Sequence, residues 1–478
     1  MNNTLLINGQ WMPAEDGQEI DVVNPATGEV FAQLSRGTPE DVNAAVKSAR
    51  HAFENEWGAW SAIERGRLLS SIAEKIQANA KEIASLESED TGKPLHLAER
   101  DIAVLARYFE FYGAAADKHH GHVIPYTNGY NVQVIHEPLG VTAHIIPWNY
   151  PSQMFGRTVC PALAAGNAIV LKPSEEACQS VLFIARLMHD AGLPAGALNI
   201  VTGYGNEAGD ALSRHPDINL ITFTGSPAVG ASIQAASAVN HVPCLLELGG
   251  KSPQIVFADA DLDKAVPIIV GAIIQNTGQT CSAGSRLLIQ KEIYSDVITR
   301  VSELISKVCA GMPNAEVDCG PIITRAQYER LNATIARIEK SNLPLIAKGR
   351  IGEVAPGGFF IAPMLYGPVP DDHELACAEA FGPILAAMTF DDEADAIRLA
   401  NATEYGLVAA VWTENGARQQ RLARSVVAGQ VYINCYGAGG GVELPFGGRK
   451  KSGYGREKGF HALDEFTTTK TIVQSFEK

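Results

Sequence analysis

Apolar and polar positions divide the chain into segments of different period. Between residues 40 and 117 apolar positions recur at helical spacing, through Ala44–Phe53, Leu68–Ile83 and Ile102–Ala116, which predicts a run of amphipathic helices. A polar turn at 117–122 follows, and Tyr130 to His136 alternates as a strand does. From Val141 the period changes again. Short β-like runs at Val141–Ile146, Asn167–Leu171, Leu198–Val201 and Asn219–Phe223 are each followed by a helical segment. The first of these helices is expected to reach Ala165 and the second to run from Ser174 to Ala191. Strand–helix alternation through short loops predicts an α/β fold with a parallel, doubly wound sheet, which binds ligands at the carboxyl ends of its strands. From about 248 to 443 the alternation repeats with different loops, so a second α/β unit is expected, and the tail Thr467–Gln474 alternates as a β-strand.

Composition narrows the class. A chain of 478 residues is long for one core and predicts two or three domains. With 46% hydrophobic and 19% charged residues it is globular in composition. A net charge of −15 without a basic stripe argues against nucleic acid or an anionic membrane surface as partner. The most apolar stretch, Ala265–Ile274, is about half a bilayer span and reads as a buried helix. Met1 to Trp11 lacks the basic start and apolar centre of a secretory signal. The eight cysteines, at 160, 178, 244, 281, 309, 319, 377 and 435, have no paired spacing and fit reduced thiols, so a cytoplasmic protein is expected. His119, His120 and His122 fall together in the polar turn, where no metal site is expected.

One cysteine stands out. Cys281 lies in Gly-Gln-Thr-Cys-Ser-Ala-Gly-Ser-Arg, and Glu247 opens Glu-Leu-Gly-Gly-Lys-Ser-Pro after an apolar run. A thiol among small polar residues with a candidate base is the pattern of covalent catalysis on an electrophilic carbon. Burial would raise the proton affinity of Glu247 and make it a usable base, for the thiol or for a hydrolytic water. Asn149, in Pro-Trp-Asn-Tyr-Pro at a strand end, is a candidate amide donor for the oxyanion such an attack creates. Each also has a plain structural reading: an inert thiol, a carboxylate bonded to glycine amides, and a helix-capping turn. Phe223-Thr224-Gly225-Ser226 joins a strand to a helix, where bare N–H groups attract a diphosphate, or where an ordinary turn suffices. Gly203 and Gly205 end the preceding strand. Lys172-Pro173-Ser174-Glu175 ends another, and its acid either caps a helix or binds ribose hydroxyls, which would favour NAD over NADP.

Together these segments resemble the NAD(P)-dependent aldehyde dehydrogenase superfamily, of the non-acylating type with a catalytic cysteine and glutamate. The resemblance rests on P-W-N at 147–149, K-P-S-E at 172–175, F-T-G-S at 223–226, E-L-G-G-K at 247–251 and G-Q-T-C at 278–281. It extends to E-A-F-G-P at 379–383 and P-F-G-G-x-K-x-S-G-x-G-R-E at 445–457. It implies a Rossmann-like dinucleotide-binding domain at 1–118 and 139–246 and a catalytic domain at 247–443. A small β oligomerisation flap with the carboxyl-terminal tail would occupy 119–138 and 444–478. A homodimer or homotetramer is expected, each tail completing a neighbour's sheet. Carried over, Cys281 is the nucleophile, Asn149 with the Cys281 N–H the oxyanion hole, and Glu247 the general base. Trp148, Lys172, Glu175, Gly205, Phe223, Gly225, Ser226, Leu248, Glu379 and Phe381 would hold NAD, or NADP as the alternative. Retention of Glu247 argues against the branch that passes the acyl group to coenzyme A.

The substrate pocket is expected among Tyr150, Met154, Arg157, Gln275, Thr280, Ser282, Tyr436 and Phe446. Arg157 resembles the arginine by which the succinate-semialdehyde branch meets its substrate's carboxylate; the other reading is an arginine satisfied by a protein acid. The bulk-poor loop 437–443 suggests an entrance open to a long or aromatic aldehyde. The expected activity is therefore oxidation of a small-molecule aldehyde to its acid. The alternatives are an NADP-preferring succinate-semialdehyde-type dehydrogenase, or a non-catalytic protein that keeps the fold.

Overall fold

A computed structural model describes residues 4–437 and 441–476. The three amino-terminal runs become four helices, Pro39–Glu54, Ala62–Ala78, Ala80–Thr91 and Leu95–Ala115, because the run Leu68–Ile83 is divided at Asn79, which ends one helix and caps the next. Their boundaries follow local chemistry. Thr38 and Asp41 close a reciprocal capping box with Pro39 at the first helical position, and Gly92 ends the third helix in the left-handed conformation.

The first sheet has eight strands. Its centre is the parallel set Leu198–Ile200, Ala168–Lys172, Val141–Ile145, Leu220–Thr224 and Cys244–Glu247, in that spatial order. The order reverses direction between Val141–Ile145 and Leu220–Thr224, and the crevice at such a reversal lies beyond the carboxyl ends of the strands. All five residues of each of these two strands are buried, as expected for a sheet covered on both faces. The helix Pro151–Ala165 reaches Ala165 as predicted, but the next helix is Gln179–Asp190 and does not begin at Ser174. Residues 174–178 form a turn in which Cys178 Sγ donates to the Ser174 carbonyl.

The second sheet has seven strands, in the order Leu345–Lys348, Met364–Tyr366, Ile384–Phe390, Arg286–Gln290, Pro253–Val256, Val408–Trp412 and Gln430–Ile433. All neighbours are parallel except the first pair. Ala265–Ile274 lies within the helix Leu262–Ile274, with one face buried.

The tail strand Thr467–Ser475 pairs antiparallel along its full length with Tyr130–Pro138 of its own chain, and His122–Ile124 adds a third strand. The segment leading to that tail departs from the expected grouping of 444–478 with the flap. Gly453–Tyr454 is an edge strand of the first sheet beside Cys244–Glu247, and Phe446 pairs with Glu457 beneath the second sheet's loops. A Cβ on Gly453 would lie 1.9 Å from the Leu246 carbonyl oxygen, so the approach depends on glycine there. Among the described residues no helix is long and apolar enough to cross a membrane.

Candidate active site

The loop that carries Cys281 is built under strain. Asn276, Thr277 and Gly278 all have positive φ (46°, 56° and 71°), and two of the three carry a Cβ. Such a run persists only where its surroundings fix it. Here Asn276 Nδ2 donates to the Asn149 carbonyl (2.9 Å), Thr277 Oγ1 to the Gly320 carbonyl (3.1 Å) and Gln279 Nε2 to the Pro321 carbonyl (3.3 Å), while Gln279 Oε1 accepts from Ile323 N–H (2.9 Å). Asn149 closes the circuit, donating one amide hydrogen to the Gln279 carbonyl at 2.9 Å. Its amide nitrogen bears two hydrogens, so one remains for a ligand.

Cys281 precedes the strand Arg286–Gln290 of the second sheet, and Glu247 ends the strand Cys244–Glu247 of the first. The site therefore lies where the carboxyl edge of one sheet meets the amino edge of the other. Two cavities converge on it, of about 490 and 620 Å³, and Cys281 and Met154 line both. Burial pushes the thiol up to about 12, against the nearby Arg157 guanidinium, so it rests protonated.

The smaller cavity gathers every expected substrate residue: Tyr150, Met154, Arg157, Gln275, Thr280, Ser282, Tyr436 and Phe446. Thr280 and Ser282 hydroxyls lie 3.3 Å apart, and Tyr436 Oη donates to the Ser282 carbonyl. The expected role of Arg157 toward a substrate carboxylate does not fit its surroundings. Its guanidinium contacts the Glu247 carboxylate (Nη2–Oε2 3.2 Å) and, through Nε, that of Glu457, and it lies 4.3 Å from the centre of the Phe446 ring. Burial opposes its charge, but Glu457 and Glu247 outweigh burial and hold it protonated. Two protein carboxylates already claim this one cation.

The larger cavity runs along the crevice of the first sheet. Trp148, Lys172, Gly205, Phe223, Gly225, Ser226, Glu379 and Phe381 line it, as does Glu247. Two expected residues do not. Glu175 turns to Lys172, 2.7 Å from its Nζ, and Leu248 packs beneath Gly230, where a Cβ would lie 2.7 Å from the leucine. The walls fit a dinucleotide. Cβ atoms added at Gly205 and Gly209 would meet nothing within 4 Å, leaving the backbone open to a phosphate. The helix Pro227–Ala238 begins at Ser226 with its amino end on the cleft. At the Cys281 end, Trp148 and Phe381 meet edge to face at 5.4 Å. Glu379 Oε1 accepts from Gly250 N–H at 3.0 Å, and burial pushes its carboxyl up to about 7.

Sequence reasoning passed over several residues here. Lys93 and Asp101 line the smaller cavity; the Lys93 ammonium is buried against Glu87 (3.1 Å) and Asp101 and sits 4.2 Å from the Tyr150 ring centre. Their signal was present: charged residues on the buried faces of helices call for a partner. Lys458 also lines this cavity, and burial with Arg157 nearby draws its ammonium down to about 7. Of the histidines in the polar turn, His119 alone enters a cluster, with His136 and Asp464; His119 Nε2 lies 2.8 Å from Asp464 Oδ1, and the two imidazole rings are 4.0 Å apart. The open-entrance reading of 437–443 falls in part on 438–440, outside the described residues.

The fold and the thiol at the meeting of two cavities define an α/β protein with a dinucleotide cleft ending on a cysteine. The sequence model of the aldehyde dehydrogenase family matches residues 11–472, and the chain belongs to that family. It is 40% identical to a benzaldehyde dehydrogenase of Antirrhinum majus over 98% of this chain and 88% of that one. A solved chain from Burkholderia cenocepacia is 54% identical with a TM-score of 0.98, covering 99% of this chain and 100% of that one. The NAD+ complex of an aldehyde dehydrogenase from Bacillus cereus is 37% identical with a TM-score of 0.97, covering 100% and 97%.

Proposed function

We propose that this protein oxidises an aldehyde to its carboxylic acid with NAD, using Cys281 as nucleophile. The observation that carries the reading is the position of Cys281 on both cavities, so that an aldehyde in one and a dinucleotide in the other would meet at its sulfur. NAD, when bound, supplies the acceptor for the hydride that leaves the aldehyde carbon. Residues of the chain do the rest. Glu247 takes the thiol proton, and the sulfur adds to the carbonyl carbon to give a thiohemiacetal. The negative charge on the former carbonyl oxygen meets the remaining Asn149 amide hydrogen and the Cys281 N–H. Loss of hydride leaves a thioester. Glu247 first passes that proton to solvent. Water then attacks the thioester carbon and gives a proton to Glu247, the carbon–sulfur bond breaks, Glu247 returns the proton to the sulfur, and the acid departs from a restored cysteine. The retained Glu247 favours water over coenzyme A as the acyl acceptor.

Lys172, which lines the larger cavity, is assigned to the adenine-side ribose, and Glu175, held 2.7 Å from its Nζ outside the cavity wall, places an acid nearby that disfavours a 2′-phosphate. The NAD+ complex of the Bacillus cereus relative supports the same cofactor. For the substrate, the pairing of Arg157 with Glu247 and Glu457 favours a neutral aldehyde over a semialdehyde. The size of the cavity, its aromatic residues Tyr150, Tyr432, Tyr436 and Phe446, and the similarity to a benzaldehyde dehydrogenase favour a bulky or aromatic one. A homo-oligomer built on the flap is supported by exposed apolar residues there, among them Val123, Ile472 and Val473. Eight free thiols support a reducing, cytoplasmic setting.

The test is NADH formation with benzaldehyde, butyraldehyde and succinate semialdehyde, on the wild type and on Cys281→Ser. The expected result is turnover that falls in that order and is lost in the variant. Full activity of Cys281→Ser would remove the mechanism. A preference of roughly a hundredfold for the semialdehyde, on the order of 3 kcal/mol, would return Arg157 to the substrate.

A further inference from the structure

Arg157 and Glu247 belong to different cavities. The guanidinium lines the one assigned to the aldehyde, the carboxylate the one assigned to the dinucleotide, and they touch across the partition at 3.2 Å. Glu457, from the carboxyl-terminal segment, contacts the same guanidinium through Nε. All three residues are at least 95% buried. The contacts are within ion-pairing distance, so opposite charge holds the three together. Arg157 itself is fixed: its helix packs Gly156 closely against Leu105 and Tyr108, and Phe446 covers the guanidinium face. Gly447 leaves room for the carboxylate, since a Cβ there would lie 2.9 Å from Glu247 Oε1.

We propose that Arg157 is a positioning residue for the base: bridged to Glu457, it holds the Glu247 carboxylate in the partition between the cavities, where its charge favours the form that can accept a proton. The proposal rests on the reading of Glu247 as general base. With Glu247 ionised the group carries one cation and two anions, a form that burial and Glu457 oppose, so the carboxyl is pushed up to about 8. When Glu247 takes a proton from the Cys281 thiol or from the hydrolytic water, one cation faces one anion, so the partition becomes balanced by the proton transfer itself. The opposing influences have definite signs. Burial pushes the Glu247 carboxyl up and Glu457 adds to that, while Arg157 pulls it down. The other groups facing this cluster are Cys281, Arg456, Lys458, Glu465 and Tyr108. None of them reverses these two signs.

The signs yield a test in which a purely structural role for Arg157 would fail. Profiles of kcat/KM against pH with a neutral aldehyde are measured for the wild type, Arg157→Met, Arg157→Lys and Glu457→Gln. A base must be ionised to act, so removing the Arg157 charge moves the acidic limb to higher pH, by about one unit or more, and lysine restores part of the shift. Glu457→Gln removes the repelling carboxylate and leaves Arg157 to Glu247 alone, moving the limb to lower pH. Opposite shifts are the expected result. Unmoved limbs, or shifts in one direction for both variants, overturn the proposal. If Arg157→Met does not fold, the near-isosteric Glu457→Gln decides alone by the direction of its shift. Glu247→Gln separates the two levels: wild-type turnover in that variant defeats the base assignment, whereas loss of turnover with unmoved limbs elsewhere defeats only the role of Arg157.

Discussion

Gly249→Ala is a small change with a large reach into the cofactor cleft. A Cβ at this buried position would lie 2.2 Å from Glu379 Oε2 and 3.0 Å from its Cδ, distances that no pair of unbonded atoms sustains. The backbone at Gly249 is not among those with positive φ, so alanine suits it and the strain falls on the contact. The obstructing atoms are the end of a flexible side chain, and the carboxylate will swing away while the fold stays intact. That movement breaks the 3.0 Å hydrogen bond from Gly250 N–H to Glu379 Oε1. A hydrogen bond to an ionised group contributes about 1.5–3 kcal/mol. If Glu379 holds the nicotinamide ribose, losing its placement weakens NAD binding by a comparable amount, roughly ten- to a hundredfold. The assay is NAD binding at pH 8.5, above the value of about 7 to which burial pushes Glu379, for the wild type, Gly249→Ala, Glu379→Ala and the double variant. Because the alanine acts only through Glu379, the double variant is expected to bind within about twofold of Glu379→Ala. Losses that multiply in the double variant, or wild-type affinity in Gly249→Ala, would refute the reasoning.

Cys281 is a half-buried thiol pushed up to about 12, so its alkylation by iodoacetamide, followed by peptide mass spectrometry, is expected to accelerate with pH up to pH 10; levelling off near pH 7 would contradict it. His144 is fully buried, and burial draws its imidazole down to about 3 while the unfolded chain protonates near 6.5. Below 6.5 the unfolded state therefore binds more protons, so this contribution to stability is complete above 6.5 and is lost as pH falls toward 3. His144→Gln should flatten the dependence of the urea midpoint on pH between 6.5 and 4.5. Asn167 is buried and ties Gly140 N–H (2.9 Å), the Ala162 carbonyl (3.2 Å) and the Phe466 carbonyl (2.8 Å) together, so Asn167→Ala is expected to lower stability by about 3 kcal/mol or more in urea unfolding.

How much of this was legible in the chain depends on what kind of order each residue obeys. Four of the five parallel strands of the first sheet could be read because a strand buried on both faces must be a short apolar run, and Val141–Ile145 and Leu220–Thr224 are such runs; the fifth, Cys244–Glu247, was read only as an apolar run before Glu247. Cys281 and Asn149 stood out as chemistry in loops, although spacing alone could not tell an active thiol from an inert one. The helix start at Gln179 was missed because Ser174 and Glu175 are good capping residues; Lys172 takes Glu175 away from that use with a 2.7 Å contact that periodicity does not encode. Arg157 shows the limit most clearly. Its position on the helix suggested its direction, and it lines the same cavity as Cys281. Its partners lie 90 and 300 residues away, in Glu247 and Glu457, and they meet only because the edge strand Gly453–Tyr454 folds back onto Cys244–Glu247. A buried cation announces in the sequence that it needs an anion. Which anion it finds is a property of the closed fold, and here the cation is met by Glu247 and Glu457 rather than left open toward the cavity.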